Sequence, residues 1–217
     1  MHRTCSHVVA PIAAVAVLLA ASAEFALAET VTKTNNTPAP QGGVPSSTVG
    51  SSVTFAAGDF TGGGVVTGVK VDVNMMPASF FNTYWEQTQL RLISPTGTIV
   101  MLQPFNTFAP GGVGETRAYS FQDGGTALPA GVGTPVAGTT YAPSSPLSTF
   151  NGEVAFFGTG VWTLTYTNGA NTGGQITSFS LTLTTTSATP EPGTFALFGL
   201  GAVGLGIAAR RRRRKAR

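Results

Sequence analysis

Beyond residue seven this sequence contains no cysteine and no histidine; Cys5, His2 and His7 are the whole supply. Once a leader carrying them is removed, the remaining chain can form no disulfide framework. It also has no thiolate nucleophile, no Ser-His-Asp relay and no His-ligated zinc. Charge is scarce as well. The formal net charge of +3 suggests a nucleic-acid binder, but its distribution removes that reading. Arg3 lies at the start and seven of the twelve bases lie in Arg210–Arg217, so four bases remain against seven acids in the body. A phosphate-binding groove needs a basic stripe, and the body has none. A third absence is helical periodicity, which no window between the two ends sustains.

What is present divides into a start, a body and a tail. Met1 to Ala28 reads as a secretory signal peptide: Arg3, an apolar run from Val8 to Ala23, and the small-x-small pattern Ala26-Leu27-Ala28, with cleavage expected before Glu29. The alternative is an uncleaved membrane anchor. Residues 29–52 are Thr, Asn, Pro, Gly and Ser with almost no large apolar side chain, and are expected to form a low-complexity linker whose last residues pair onto a sheet edge.

From Val53 the pattern alternates with period two. Val69, Val71 and Val73 alternate with polar residues, as do Leu90 and Leu92, then Tyr119 and Phe121. Trp162, Leu164 and Tyr166 do the same, and so do Phe179, Leu181 and Leu183. Such alternation marks strands with one face in a core and one in water. Ser94-Pro95-Thr96-Gly97 and Asn168-Gly169 supply turns. The expected fold of 53–184 is all-β, an antiparallel sandwich or jelly roll whose core must hold without disulfides.

Chemistry is harder to place. Two of the acids Asp59, Asp72, Glu86, Glu115, Asp123 and Glu153 could in principle form a glycosidase pair. Asp72 falls on an outward strand position, however, and Glu115 stands beside Arg117 in a polar loop, so no hydrolase is expected. Tyr84-Trp85 offers either an exposed aromatic platform or a residue tucked over the sandwich end. Gly199-Leu200-Gly201-Ala202-Val203-Gly204 fits the dinucleotide fingerprint letter for letter but lacks its strand, its long helix and its distal acid. In an apolar segment those glycines instead suit close helix packing.

Several body segments, taken in order, resemble the P domain (Homo B domain) that follows the catalytic domain of kexin- and furin-like proprotein convertases. Leu90–Leu102 resembles its hairpin, with Ser94, Pro95 and Gly97 at the turn. Phe121-Gln122-Asp123, Tyr141-Ala142-Pro143, Leu147–Gly152 and Gly160-Val161-Trp162-Thr163-Leu164 follow, and Gly173–Leu181 closes the set with Phe179 where Trp is usual. The resemblance covers about Val44 to Thr184. It implies a jelly-roll module without catalytic residues, structural roles for Ser94, Pro95, Gly97, Trp162, Leu164 and Phe179, and a calcium site for which only Asp123 keeps a carboxylate. Asn168 and Asn171 stand where the family has Asp, which weakens that site. It also implies an alternative role, an accessory module acting with a separately encoded subtilisin-like protease.

The tail, 185–217, has three parts in order: Pro190-Glu191-Pro192, an apolar run over 194–209, and the Arg-rich end containing Arg210, Arg211, Arg212, Arg213 and Arg214. The apolar run is near the shortest length that crosses a bilayer, and the basic block would stay on the cytoplasmic side. The prolines keep the helix from extending upstream. These parts resemble the PEP-CTERM sorting signal. That resemblance implies export through the inner membrane, recognition by an exosortase, removal of the tail near Pro190-Glu191-Pro192, and delivery to the cell surface or an exopolysaccharide matrix. A permanent anchor is the plainer alternative. The expectation is a non-enzymatic exported protein, partnered by an exosortase during processing and afterwards by exopolysaccharide or a surface protein.

Overall fold

The computed structural model describes residues 28–39, 48–76, 85–108, 115–169 and 174–186. Among these described residues nine strands form two sheets. They are β1 (Ala28–Asn35), β2 (Thr48–Thr54), β3 (Val65–Met76), β4 (Thr88–Ile93), β5 (Ile99–Gln103), β6 (Arg117–Thr126), β7 (Thr140–Tyr141), β8 (Val161–Asn168) and β9 (Gln175–Thr186). One sheet runs β1-β9-β3-β6-β7 and the other β2-β8-β4-β5. All pairings are antiparallel except β6 with β7, which is parallel and departs from the wholly antiparallel expectation.

Strand alternation builds the sandwich. In β8 every second residue is buried, which places Trp162, Leu164 and Tyr166 between the sheets and their threonines outside. On β9, Phe179, Leu181 and Leu183 face them, and β3 adds Val69, Val71 and Val73. Each such side chain contributes roughly 1.5–3 kcal/mol of burial free energy. The aromatic core continues through Phe108, Tyr119 and Tyr141, packed edge to face at ring-centroid distances of 5.7–6.3 Å.

The expected linker is corrected by this architecture. Residues 28–35 form β1 and 48–54 form β2, so most of the described part of 29–52 is sheet. These are edge strands, and an edge strand is held by backbone pairing and needs little apolar surface of its own. Along β1, Thr32 and Thr34 share hydroxyl hydrogen bonds with Thr182 and Ser180 of β9, both 2.8 Å. Thr48 and Ser52 of β2 do the same with Thr167 and Thr163 of β8, both 2.9 Å. Cross-strand hydroxyl pairs of this kind stabilise by a few tenths of a kcal/mol to about 1 kcal/mol each.

Register then fixes one end of the sandwich. Ala28 pairs with Thr186, Thr186 with Val65, and Val65 bridges to Val154. The first residue of β1, the last of β9 and the turns around residues 61–64 and 154–160 therefore share that end.

Candidate functional site

The residues that resemble the P domain occupy structural positions. Ser94-Pro95-Thr96-Gly97 closes the β4–β5 hairpin: the Gly97 N–H donates to Ser94 O at 3.0 Å and the Ser94 N–H to Thr98 O at 2.9 Å. Gly97 has φ +89, a conformation that glycine tolerates best. Trp162, Leu164 and Phe179 are fully buried. The Trp162 indole N–H donates to Ala155 O at 2.8 Å, and its ring meets Phe150 edge to face at 5.1 Å.

Asp123 lies at the start of the 3-10 turn Leu147–Phe150. Its two carboxylate oxygens accept the backbone N–H groups of Leu147 and Ser148 at 2.8 and 2.7 Å. This is a capping role, in which a carboxylate satisfies amides that the turn leaves unpaired. Among the described residues no three His, Cys, Asp or Glu side chains come together as metal ligands.

Four of the other acids are similarly engaged, whereas Glu153 Oε2 is buried without a hydrogen-bond partner. Asp59 pairs with Lys33 at 2.5 Å and accepts the Ala56 N–H at 2.7 Å. Asp72 pairs with Lys70 at 2.8 Å and accepts from the Ser120 hydroxyl. Glu115 pairs with Arg117, as their adjacency in sequence suggests. Glu29 accepts both the backbone N–H and the hydroxyl of Thr61, at 2.8 and 2.9 Å. A shallow trough of about 270 Å³ on the outer face of the five-stranded sheet contains Asp72, Asn74, Ser120, Ser178 and Ser180.

Trp85 is no exposed platform. It is buried against Phe108 and Tyr119, at ring-centroid distances of 6.5 and 6.2 Å. The polar sequence around it hid this, because the partners come from β6 and from the segment after β5. One of these partners, Tyr119, also begins a buried polar relay. Tyr119 Oη donates to Gln103 Oε1 at 3.0 Å, and Gln103 Nε2 donates to Thr88 O at 3.2 Å. Burial raises the Tyr119 phenol well above its ordinary range and pushes Tyr166 up to about 12.

The expected processing signals lie on either side of this body in the sequence. Ala28 opens β1, whereas Ala26, Pro190, Glu191, Pro192 and Arg210–Arg214 lie outside the described residues, as do the expected leader, the tail helix and the glycine-rich run 199–204. Among the described residues no helix is long and apolar enough to cross a membrane.

With these positions established, the body is a two-sheet β-sandwich, and the class of the tail follows from comparison. Residues 188–214 match the PEP-CTERM protein-sorting motif. The chain carries that motif at its C-terminus, and the motif implies exosortase processing and export to the cell surface.

No curated protein matches the chain. Among solved structures, the serine protease of Aeromonas sobria in complex with its chaperone ORF2 is similar at 16% identity and TM-score 0.44, over 80% of this chain and 30% of that one. A structure titled for the serine protease of Aeromonas sobria gives 17% identity and TM-score 0.42, over 78% and 29%. An exo-beta-agarase gives 10% identity and TM-score 0.34, over 76% and 23%. The chain thus spans less than a third of the length of each of these proteins.

Proposed function

We propose that this chain is an exported surface or exopolysaccharide-matrix protein whose sandwich is a non-catalytic binding or structural body, delivered by exosortase sorting. The observation that carries the reading is the PEP-CTERM motif over residues 188–214. The chemistry of the body supports it. Cysteine and histidine are confined to the first seven residues, and Asp59, Asp72, Glu115 and Asp123 each hold a partner within the fold. The tail is the place where covalent chemistry is expected, and there this protein is the substrate.

Intact-mass measurement of the protein recovered from cells and from medium tests this reading. Surface material is expected to begin at Glu29 and to lack everything beyond the Pro190-Glu191-Pro192 region. Surface material that retains Arg217 would overturn the sorting reading.

The ordered segments that resemble the P domain support a second reading, an accessory module for a separately encoded subtilisin-like protease. Its discriminating observation is a neighbouring gene for such a protease without its own P domain.

A further inference from the structure

Four peptide steps separate Thr186, the last residue of β9, from Pro190. Fully extended, that is at most about 14 Å of chain. Any enzyme that grips Pro190-Glu191-Pro192 therefore works close to the end of the sandwich from which β9 leaves. That end is well defined, because Thr186 pairs with Val65 of β3 and the residue before it, Thr185, is paired on both sides, with Glu29 of β1 and Val66 of β3. The end rung cannot move away without unpairing the sheet.

What stands at this end is an apolar tip on a fixed turn. Val65, the partner of Thr186, bridges to Val154, and the Phe157 N–H donates back to Val154 O at 3.1 Å. The Gly160 N–H closes the turn on Phe157 O at 2.9 Å, and Gly160 O accepts the Phe55 N–H at 3.0 Å. The two adjacent phenylalanines divide. Phe156 packs inward on Phe60 at a ring-centroid distance of 5.9 Å, while Phe157 is 57% exposed. Ile99, two rungs from the end of the other sheet, is 56% exposed. A lone exposed phenylalanine needs no explanation. Here a hydrogen-bonded turn, bridged to the β3 neighbour of β9, holds one at the end of the sandwich from which β9 leaves.

We propose that this end of the sandwich, with Phe157 at its tip, is a docking surface for the membrane-embedded enzyme that removes the tail. The proposal rests on the sorting reading above and deepens it. Recognition would then have two parts, the Pro-Glu-Pro tripeptide and the folded end a fixed chain length upstream. A misfolded body lacks the second part, so tail removal reports on folding.

The test uses the full chain in cells that supply the sorting enzyme, and follows tail removal by pulse-chase and intact mass. Phe157→Ser is expected to slow tail removal about fivefold, the loss of roughly 1 kcal/mol of docking energy. Thermal denaturation of the same variant checks that the body still folds. In a second background, twelve Gly and Ser residues are inserted between Ser187 and Ala188, a tether with a root-mean-square span of about 20 Å. There the tripeptide is uncoupled from the end, and Phe157→Ser is expected to have no further effect.

An equal effect in both backgrounds, or none in either, would overturn the docking surface while leaving the sorting reading intact. Wild-type tail removal combined with weaker pelleting on phospholipid vesicles would assign the end to the lipid surface and also overturn it. A wild-type chain that keeps its tail overturns both proposals.

Discussion

Gly160 is where two stretches of backbone come closest. A Cβ built there would lie 1.9 Å from Phe55 O, and its φ of +65 is one that L side chains adopt only with strain. The approach has a purpose, since the Phe55 N–H donates to Gly160 O at 3.0 Å and so joins the end of β2 to the start of β8. Two residues on, Trp162 is buried with its indole N–H satisfied. The Gly-x-Trp-x-Leu segment thus has a physical reason at each fixed position. Gly97 makes the comparison, because it also has positive φ, +89, but a Cβ there meets nothing within 4 Å. Gly97→Ala is expected to cost about 1–2 kcal/mol, the left-handed penalty alone. Gly160→Ala adds overpacking against backbone and is expected to cost roughly 2–5 kcal/mol. Urea denaturation of the two variants checks the order, and equal losses would show that the Phe55–Gly160 approach is not tight in solution.

β1 shows how an element held mainly by its edge behaves. Its inward positions are Glu29, Val31, Lys33 and Asn35, of which only Val31 is apolar. The strand is fastened instead by its ladder with β9, by Glu29 on Thr61 and by Lys33 on Asp59. The Asp59 carboxyl is held below its ordinary value by the backbone N–H of Ala56 and then by Lys33. Its folded pKa lies below that of the unfolded chain, so its stabilisation is full above about pH 4. That stabilisation is lost as pH falls through the folded value. Asp59→Asn is therefore expected to lower the melting temperature at pH 7, with the gap to wild type closing as pH falls below the ordinary carboxyl value and through the lowered folded one. A constant gap across that range would remove the ion pair from the account. The same strand marks the limit of what the sequence makes legible. Alternation in β3, β4, β8 and β9 is written in large apolar side chains, which burial of one face against the opposite sheet demands. β1 and half of β2 alternate only between threonine or serine and other small or polar residues. Their stability comes from cross-strand hydroxyl pairs such as Thr32–Thr182, and these depend on a partner about 150 positions away. Trp85 was obscure for a related reason, since Phe108 and Tyr119 converge on it only in the folded chain.

On the scale of the whole molecule, a body with no disulfide to close it depends on how the two sheets are joined across their core, and much of that joint is tyrosine. Tyr119 of β6 reaches Gln103 of β5 through its hydroxyl, and Gln103 continues to Thr88 of β4, so one relay links the two sheets. Tyr166 of β8 accepts the Gly174 N–H at 3.1 Å, which fixes the entry to β9 in the opposite sheet. Both phenols are held neutral mainly by burial, with Tyr166 pushed up to about 12 and Tyr119 raised further. The ordinary phenol ionises near pH 10, so the unfolded chain loses these protons before the folded one does. Stability is therefore complete below pH 10 and falls between pH 10 and 12, with Tyr166 alone accounting for on the order of 2–3 kcal/mol. The sandwich is expected to unfold cooperatively on alkaline titration, with tyrosinate absorbance and loss of the β signal in circular dichroism appearing together. Tyr166→Phe loses the bond to Gly174 and starts less stable at pH 7, yet its stability should decline less steeply over the same two pH units. If tyrosinate formed while the sheet signal persisted, the phenols would be reachable by water in the native state, and the joint between the sheets would have to lie elsewhere in the core.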